Sequence, residues 1–234
     1  MRKRKNRYYT YYIAVSIMLA IVQSCAPVYR PNTMFTPMFE RQGQFRGMGS
    51  FGNNGLNLHA GYTVTDNLAI TGGMTYASDV GDPGETFFTE AGAGWYYAPS
   101  VFRLEVLSGI GFGVARATGT YTFITERTIE ARGVYGRFYL QPTMGVSVSI
   151  VDLSLTTRAA WVNFFRFEET TGNGESAQNI SGLFMEPVMT LGVGPESFKI
   201  FGQLGLSLPS RALEFDHLPV LLSFGVRFKL DPSD

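Results

Sequence analysis

The chain has 234 residues, room for one domain behind a leader, with 19 basic and 19 acidic side chains. Charged residues make up only 16%, against roughly 25% in soluble domains, while aromatics reach 14% and glycines number 27. No apolar run beyond the leader is long enough for a transmembrane helix and there is no basic excess, which excludes a helical membrane bundle and argues against nucleic acid as a partner.

Arg2, Lys3, Arg4, Lys5 and Arg7 precede an apolar stretch over 13–22, so residues 1–24 read as a signal peptide for export. The only cysteine, Cys25, follows Val22-Gln23-Ser24. A small residue before a cysteine, after such a core, resembles a bacterial lipobox, with Gln23 departing from its commonest pattern. The resemblance implies cleavage before Cys25 and a diacylglycerol on its thiol, the one covalent lipid expected here. The alternative is an incidental cysteine behind an ordinary cleavage site. Five of the nineteen basic residues lie in the leader, leaving fourteen against nineteen acidic, a mature charge of about −5. Residues 25–43 carry Pro27, Pro31 and Pro37 without periodicity. They read as the lipidated cysteine and an extended periplasmic tether.

From residue 44 a period of two takes over. Phe138, Leu140, Pro142, Met144, Val146, Val148 and Ile150 share one face; Tyr139, Gln141, Thr143, Gly145, Ser147 and Ser149 share the other. Ten such segments are predicted, at 45–51, 56–64, 68–77, 86–97, 101–115, 135–149, 153–166, 182–193, 198–207 and 218–230. Short turns at 65–67, 98–100, 150–152 and 194–197 alternate with longer connections around 78–85, 116–134, 167–181 and 208–217. The fold expected over 44–230 is all-β, an antiparallel up-and-down transmembrane barrel of ten strands, with eight as the alternative and a tail at 231–234. Segments five and six are expected to continue beyond the membrane as a hairpin through 118–134.

Alternation alone does not say which face is outside, because a soluble barrel has one apolar face turned inward. Glycines on the polar face (Gly109, Gly111, Gly113, Gly205, Gly225) suit a narrow lumen. Trp95-Tyr96-Tyr97 and Trp161, Phe164, Phe165 and Phe167 gather near segment ends, as interfacial aromatics do. The last segment sets Leu218, Val220, Leu222, Phe224, Val226, Phe228 and Leu230 on one face. Apolar-out is the reading; a soluble periplasmic barrel binding an apolar ligand is the alternative. Cys25-Ala26-Pro27-Val28-Tyr29 and the segments down to Leu230 together resemble the small bacterial outer-membrane β-barrel superfamily, in particular lipobox-bearing barrels of Bacteroidota-like bacteria. The resemblance implies residence in the outer membrane, a lipid anchor on the periplasmic side, external long loops, and the barrel-assembly machinery as a partner that reads Phe224 and Phe228. Lys229 to Asp234 trail after Phe228, a departure from the strict signal.

Sorting charges by face or strand end places Arg46, Arg103, Arg137, Arg158, Arg166, Lys199, Arg227 and Lys229 toward the polar side. Only Glu90, Glu105 and Glu186 oppose them, with His59, Gln203, Tyr135 and Tyr139 alongside. Buried charges must pair, so a salt-bridged plug is expected, each glutamate meeting an arginine. The excess of arginine leaves a small pore for anionic solutes as the alternative. The long connections are acidic (Asp79, Asp82, Glu85, Glu126, Glu130, Glu168, Glu169, Glu175, Glu214, Asp216), which fits solvated loops facing an external or envelope partner, or less simply a cation site at Asp79, Asp82 and Glu85. His217 beside Asp216 and near Ser210 carries no hydrolase signature. No zinc pattern or phosphate loop is present; Gly109-Ile110-Gly111-Phe112-Gly113 follows strand alternation. The expected role is structural or interactive, without catalysis, metal or cofactor.

Overall fold

The computed structural model describes residues 27–78, 84–122, 126–170, 175–177, 180–213 and 215–231. The leader, Cys25, Asp79, Asp82 and Glu214 lie outside them, as do the side chains of Glu126 and Glu175. The described residues form twelve strands: β1 Phe45–Gly52, β2 Gly55–Thr63, β3 Leu68–Ser78, β4 Glu85–Tyr97, β5 Phe102–Thr122, β6 Glu126–Val148, β7 Val151–Thr170, β8 Glu175–Ala177, β9 Ile180–Val193, β10 Phe198–Leu206, β11 Leu208–Pro209 and β12 Val220–Leu230. β8 and β11 are short additions to the rim, on β7 and β9. The other ten close into an antiparallel ring, because β7 pairs with β9 and β1 pairs with β12 from Phe45↔Leu230 to Gly52↔Ser223. Closure leaves no free sheet edge in the wall.

The two ends differ as the sequence predicts. One end holds the start of β1, the end of β12 and four short turns; the other holds the longer connections and the tight β1–β2 turn. That tight turn spans two residues, Asn53 and Asn54, and Gly55 completes it at φ +95°, a conformation that a side chain would strain. β5 and β6 pair without interruption to Thr122↔Glu126, so the expected projecting hairpin is present.

The apolar face is outside. Phe138, Leu140, Met144 and Val148 are all exposed, as are Leu104, Ile110, Phe112, Val114, Leu155, Leu204 and Leu222 on other strands. Tyr139, Gln141 and Thr143, between them in sequence, are buried. So broad an apolar exterior in contact with water would be strongly unfavourable, whereas lipid accepts it. This corrects the soluble alternative: the apolar face cannot enclose a ligand, because it is the outer wall. The aromatic clusters split between faces. Trp95, Tyr97, Trp161 and Phe165 point outward, while Tyr96, Phe164 and Phe167 are buried.

The lumen is narrow enough to require its glycines. A Cβ on Gly111 would stand 2.2 Å from the Phe88 ring, and one on Gly113 2.6 Å from Tyr135. What fills this space is the segment expected to be a periplasmic tether. Residues 28–39 are all buried, with Tyr29, Met34 and Phe39 at 0% exposure. Val28 and Tyr29 donate backbone hydrogen bonds to the Asp216 carbonyl at the long-loop end. Gln44 hydrogen-bonds Asp231 at the short-turn end. The chain therefore runs down the whole lumen before it enters β1.

Candidate lumen site

A backbone outside any sheet, buried in a lumen, needs partners for its amides and carbonyls. Pro27, Pro31 and Pro37 bring no amide donor, which lightens that demand. Wall side chains supply the rest. Thr33 N donates to Asn57 Oδ1 at 3.2 Å, and Met34 N to Gln203 Oε1 at 3.0 Å. Gln203 Nε2 in turn donates to the Met34 carbonyl, copying a strand neighbour with one amide side chain. Asn54, Gln141, Arg227 and Arg46 donate to the carbonyls of Pro31, Phe35, Thr36 and Met38. Met38 bends the thread at φ 57°, a strained position for a side-chain-bearing residue, and Arg46 and Glu105 hold both sides of that bend.

The charges gather in two layers. Toward the long loops, Arg158 Nε donates to Glu186 Oε2 at 2.6 Å, and Arg137 pairs with Glu90. Asn32 from the thread ties these pairs together: its Oδ1 accepts from Arg137 at 2.9 Å and Arg158 at 2.7 Å, while its Nδ2 donates to Glu90 at 2.9 Å. Tyr29 donates to Glu186 at 3.0 Å. His59 Nδ1 lies 3.6 Å from Glu90, its ring stacked on Phe35. Above this layer sit aromatic rings: Tyr29 against Phe184 at 4.6 Å, and Phe164 against Phe215 at 4.8 Å.

The second layer lies near the short turns. Glu40 of the thread accepts from Arg103 and Lys229, each at 2.9 Å, with Arg46 3.4 Å away. Burial alone would push its carboxyl up; the hydrogen bonds from Arg103 and Lys229 and the charge of Arg46 outweigh that and pull it from 4.5 down to about 2. Beside it, Asp152 pairs with Arg227 and, at 3.3 Å, with Lys199.

The predicted set of Arg46, His59, Glu90, Arg103, Glu105, Arg137, Arg158, Glu186, Lys199 and Arg227 is thus assembled in the lumen, with one correction to its pairing and one to the wider sorting of charges. Glu105 forms no direct ion pair among the described residues, Arg46 and Arg227 acting on it only at longer range; it accepts the Phe39 amide at 2.8 Å instead. Its backbone partner exists only because the thread is inside. Arg166, placed toward the polar side, is outside: β6 and β7 shift register at Val134/Tyr135, so Phe165 and Arg166 are both exposed. Asn32, Glu40, Asp152 and the wall amides Asn54 and Asn57 lie outside that set, while Gln141 and Gln203 were already placed on the polar face. Asp152 hid in a turn, and Asn32 and Glu40 in a segment read as linker. A usable signal was there: Val28, Tyr29, Met34, Phe35, Met38 and Phe39 are too apolar for a solvated tether. Glu40, Asp152 and Asp231 supply the acids that the strand faces lacked.

Among the described residues no cluster of three or more metal-ligating side chains occurs. His217 Nε2 is 3.2 Å from the Ser207 carbonyl, beside the Phe184 ring.

A ten-stranded closed antiparallel ring with an apolar exterior, short turns at one end and a charged, filled interior is a barrel of the outer-membrane type. Among solved structures the chain is similar to LpxR from Salmonella typhimurium, at 9% identity, covering 81% of this chain and 100% of that chain, with a TM-score of 0.38. No family model matches the chain, and no curated protein matches it.

Proposed function

We propose that the chain is a lipid-anchored bacterial outer-membrane barrel, sealed by its own N-terminal segment, with a structural or interaction role carried by its long acidic loops. The observation behind this reading is the thread. Residues 28–39 occupy the lumen, Asn32 accepts from Arg137 and Arg158, and Glu40 just beyond them pairs with Arg46, Arg103 and Lys229, so the lumen cations that would otherwise attract an anionic solute are engaged and the pore reading loses its motive. No catalytic role, metal or cofactor is proposed; beyond the lipid, the partners are membrane lipid, the assembly machinery and a protein met by the loops.

The direction of the thread also moves the proposed anchor. Tyr29 pairs with His217, and Val28 bonds Asp216, at the long-loop end. An acyl group on Cys25, three residues before Val28, therefore belongs at the outer leaflet and not at the periplasmic face. A short epitope inserted between Ala26 and Pro27 is expected to bind antibody on intact cells. Binding only after the outer membrane is permeabilised would overturn the placement. Lipid labelling of wild type but not of Cys25→Ala supports the anchor; equal labelling discards it.

A further inference from the structure

On the outer wall, the apolar belt ends abruptly on the strands around β5. Its outward residues run from Phe102 at the short-turn rim through Leu104, Val106, Ile110 and Phe112 to Val114. From Leu104 to Val114, ten rises of about 3.3 Å each, tilted by about 40°, make a band about 25 Å tall, the thickness a membrane barrel needs, with Phe102 in the aromatic rim below it. The next outward position beyond Val114 is Arg116. On β6 the next beyond Val134 is Arg132, and on β7 Arg166 follows Phe165. Arg116 and Arg132 are directly opposed across the β5–β6 ladder. Like charges so placed repel unless something negative lies between them.

The carboxylates nearby do not fill that role. Glu168 is 3.3 Å from Arg166, and Glu130 is 3.7 Å from Arg132 with both side chains about half exposed. Glu85, opposite Arg116 on β4, lies 3.5 Å from the Tyr76 hydroxyl. Arg116 has no ion pair among the described residues. These arginines stand over a surface groove of about 360 Å³ whose apolar wall includes Phe87, Val114 and Val134. Its rim holds three arginines against Glu85 and Glu168, an excess of positive charge over an apolar floor, which suits an amphiphile with a negative head.

We propose that this groove holds the phosphate-bearing headgroup of an outer-leaflet lipid. Arg116 and Arg132 grip the phosphate oxygens, Arg166 supports them, and the acyl chains lie against Phe87, Val114 and Val134. Guanidinium groups suit this because their planar donors match phosphate oxygens. The site rests on the membrane placement proposed above.

The test uses the full chain in phosphatidylcholine nanodiscs doped with phosphatidic acid or with diacylglycerol of the same chains, followed by native mass spectrometry of the released protein. Wild type and a distant control, Arg211→Gln, are expected to retain phosphatidic acid and not diacylglycerol. The double variant Arg116→Gln/Arg132→Gln, which keeps much of the apolar stems, is expected to retain about tenfold less. Heat-modifiable gel mobility checks that each protein is folded and inserted. Equal retention by the double variant overturns the site, and so does displacement by equimolar inorganic phosphate, which marks a free-anion site instead. Failure of wild type to insert overturns both this site and the membrane reading; insertion without retention overturns the site alone.

Discussion

Arg158 and Glu186 are both essentially without solvent contact, so each is the other's main compensation for lost hydration. Replacing one partner leaves a buried charge, at a cost of about 3–5 kcal/mol. Glu186→Gln is expected to lower the unfolding free energy by that amount in reconstituted vesicles, moving the midpoint down, and replacing Arg158 with Met in the same chain should recover part of it. A full wild-type midpoint in Glu186→Gln would show that the pair is solvated. Glu40 gives a pH prediction of definite sign. Its folded value near 2 is below the unfolded 4.5, so its stabilisation is complete above 4.5 and fades as pH falls from 4.5 toward 2. Wild type should lose stability across that window, while Glu40→Gln should start lower and change less; parallel titrations would exclude the role. Of these groups, Arg158 and Glu186 could be read from alternation, since a period of two assigns each residue a face. Glu40 could not, because no period marks a chain that leaves the sheet.

The thread is the element on which the sequence reading and the structure part. Prolines and absent periodicity describe a solvated linker and a lumen filler equally well, since both lack backbone ladders. The strands, by contrast, were legible nearly to their ends, because each wall residue faces either lipid or lumen and the two environments demand opposite chemistry. The exceptions have local causes. The bulge at Val134/Tyr135 breaks the alternation and turns Arg166 outward, and β8 and β11 are too short to show a period. Removing residues 28–39 tests the thread as the seal. Wild type is expected to be silent in planar bilayers, and the deleted chain, where it inserts, to conduct. A silent, inserted deletion variant would show that the wall side chains close the lumen alone.

For the molecule as a whole, the lipid belt sets the energetic frame. Ile110 lies near the middle of the belt, opposite Phe138 and exposed. Ile110→Arg is expected to cost about 2–4 kcal/mol in vesicle unfolding, falling toward zero for arginine at the ends of the belt. An indifferent midpoint would contradict a membrane span at that height. Ring closure has one more consequence. β1 is hydrogen-bonded to β12, so the wall forms a hoop around residues 28–43, which run through it like an axle. With the proposed lipid on Cys25, such an axle could not be pushed into a finished hoop this tight. On that proposal the strands would wrap around it, with the β1–β12 seam the last joint to fasten, and the N-terminal segment would be the mandrel on which the barrel is wound.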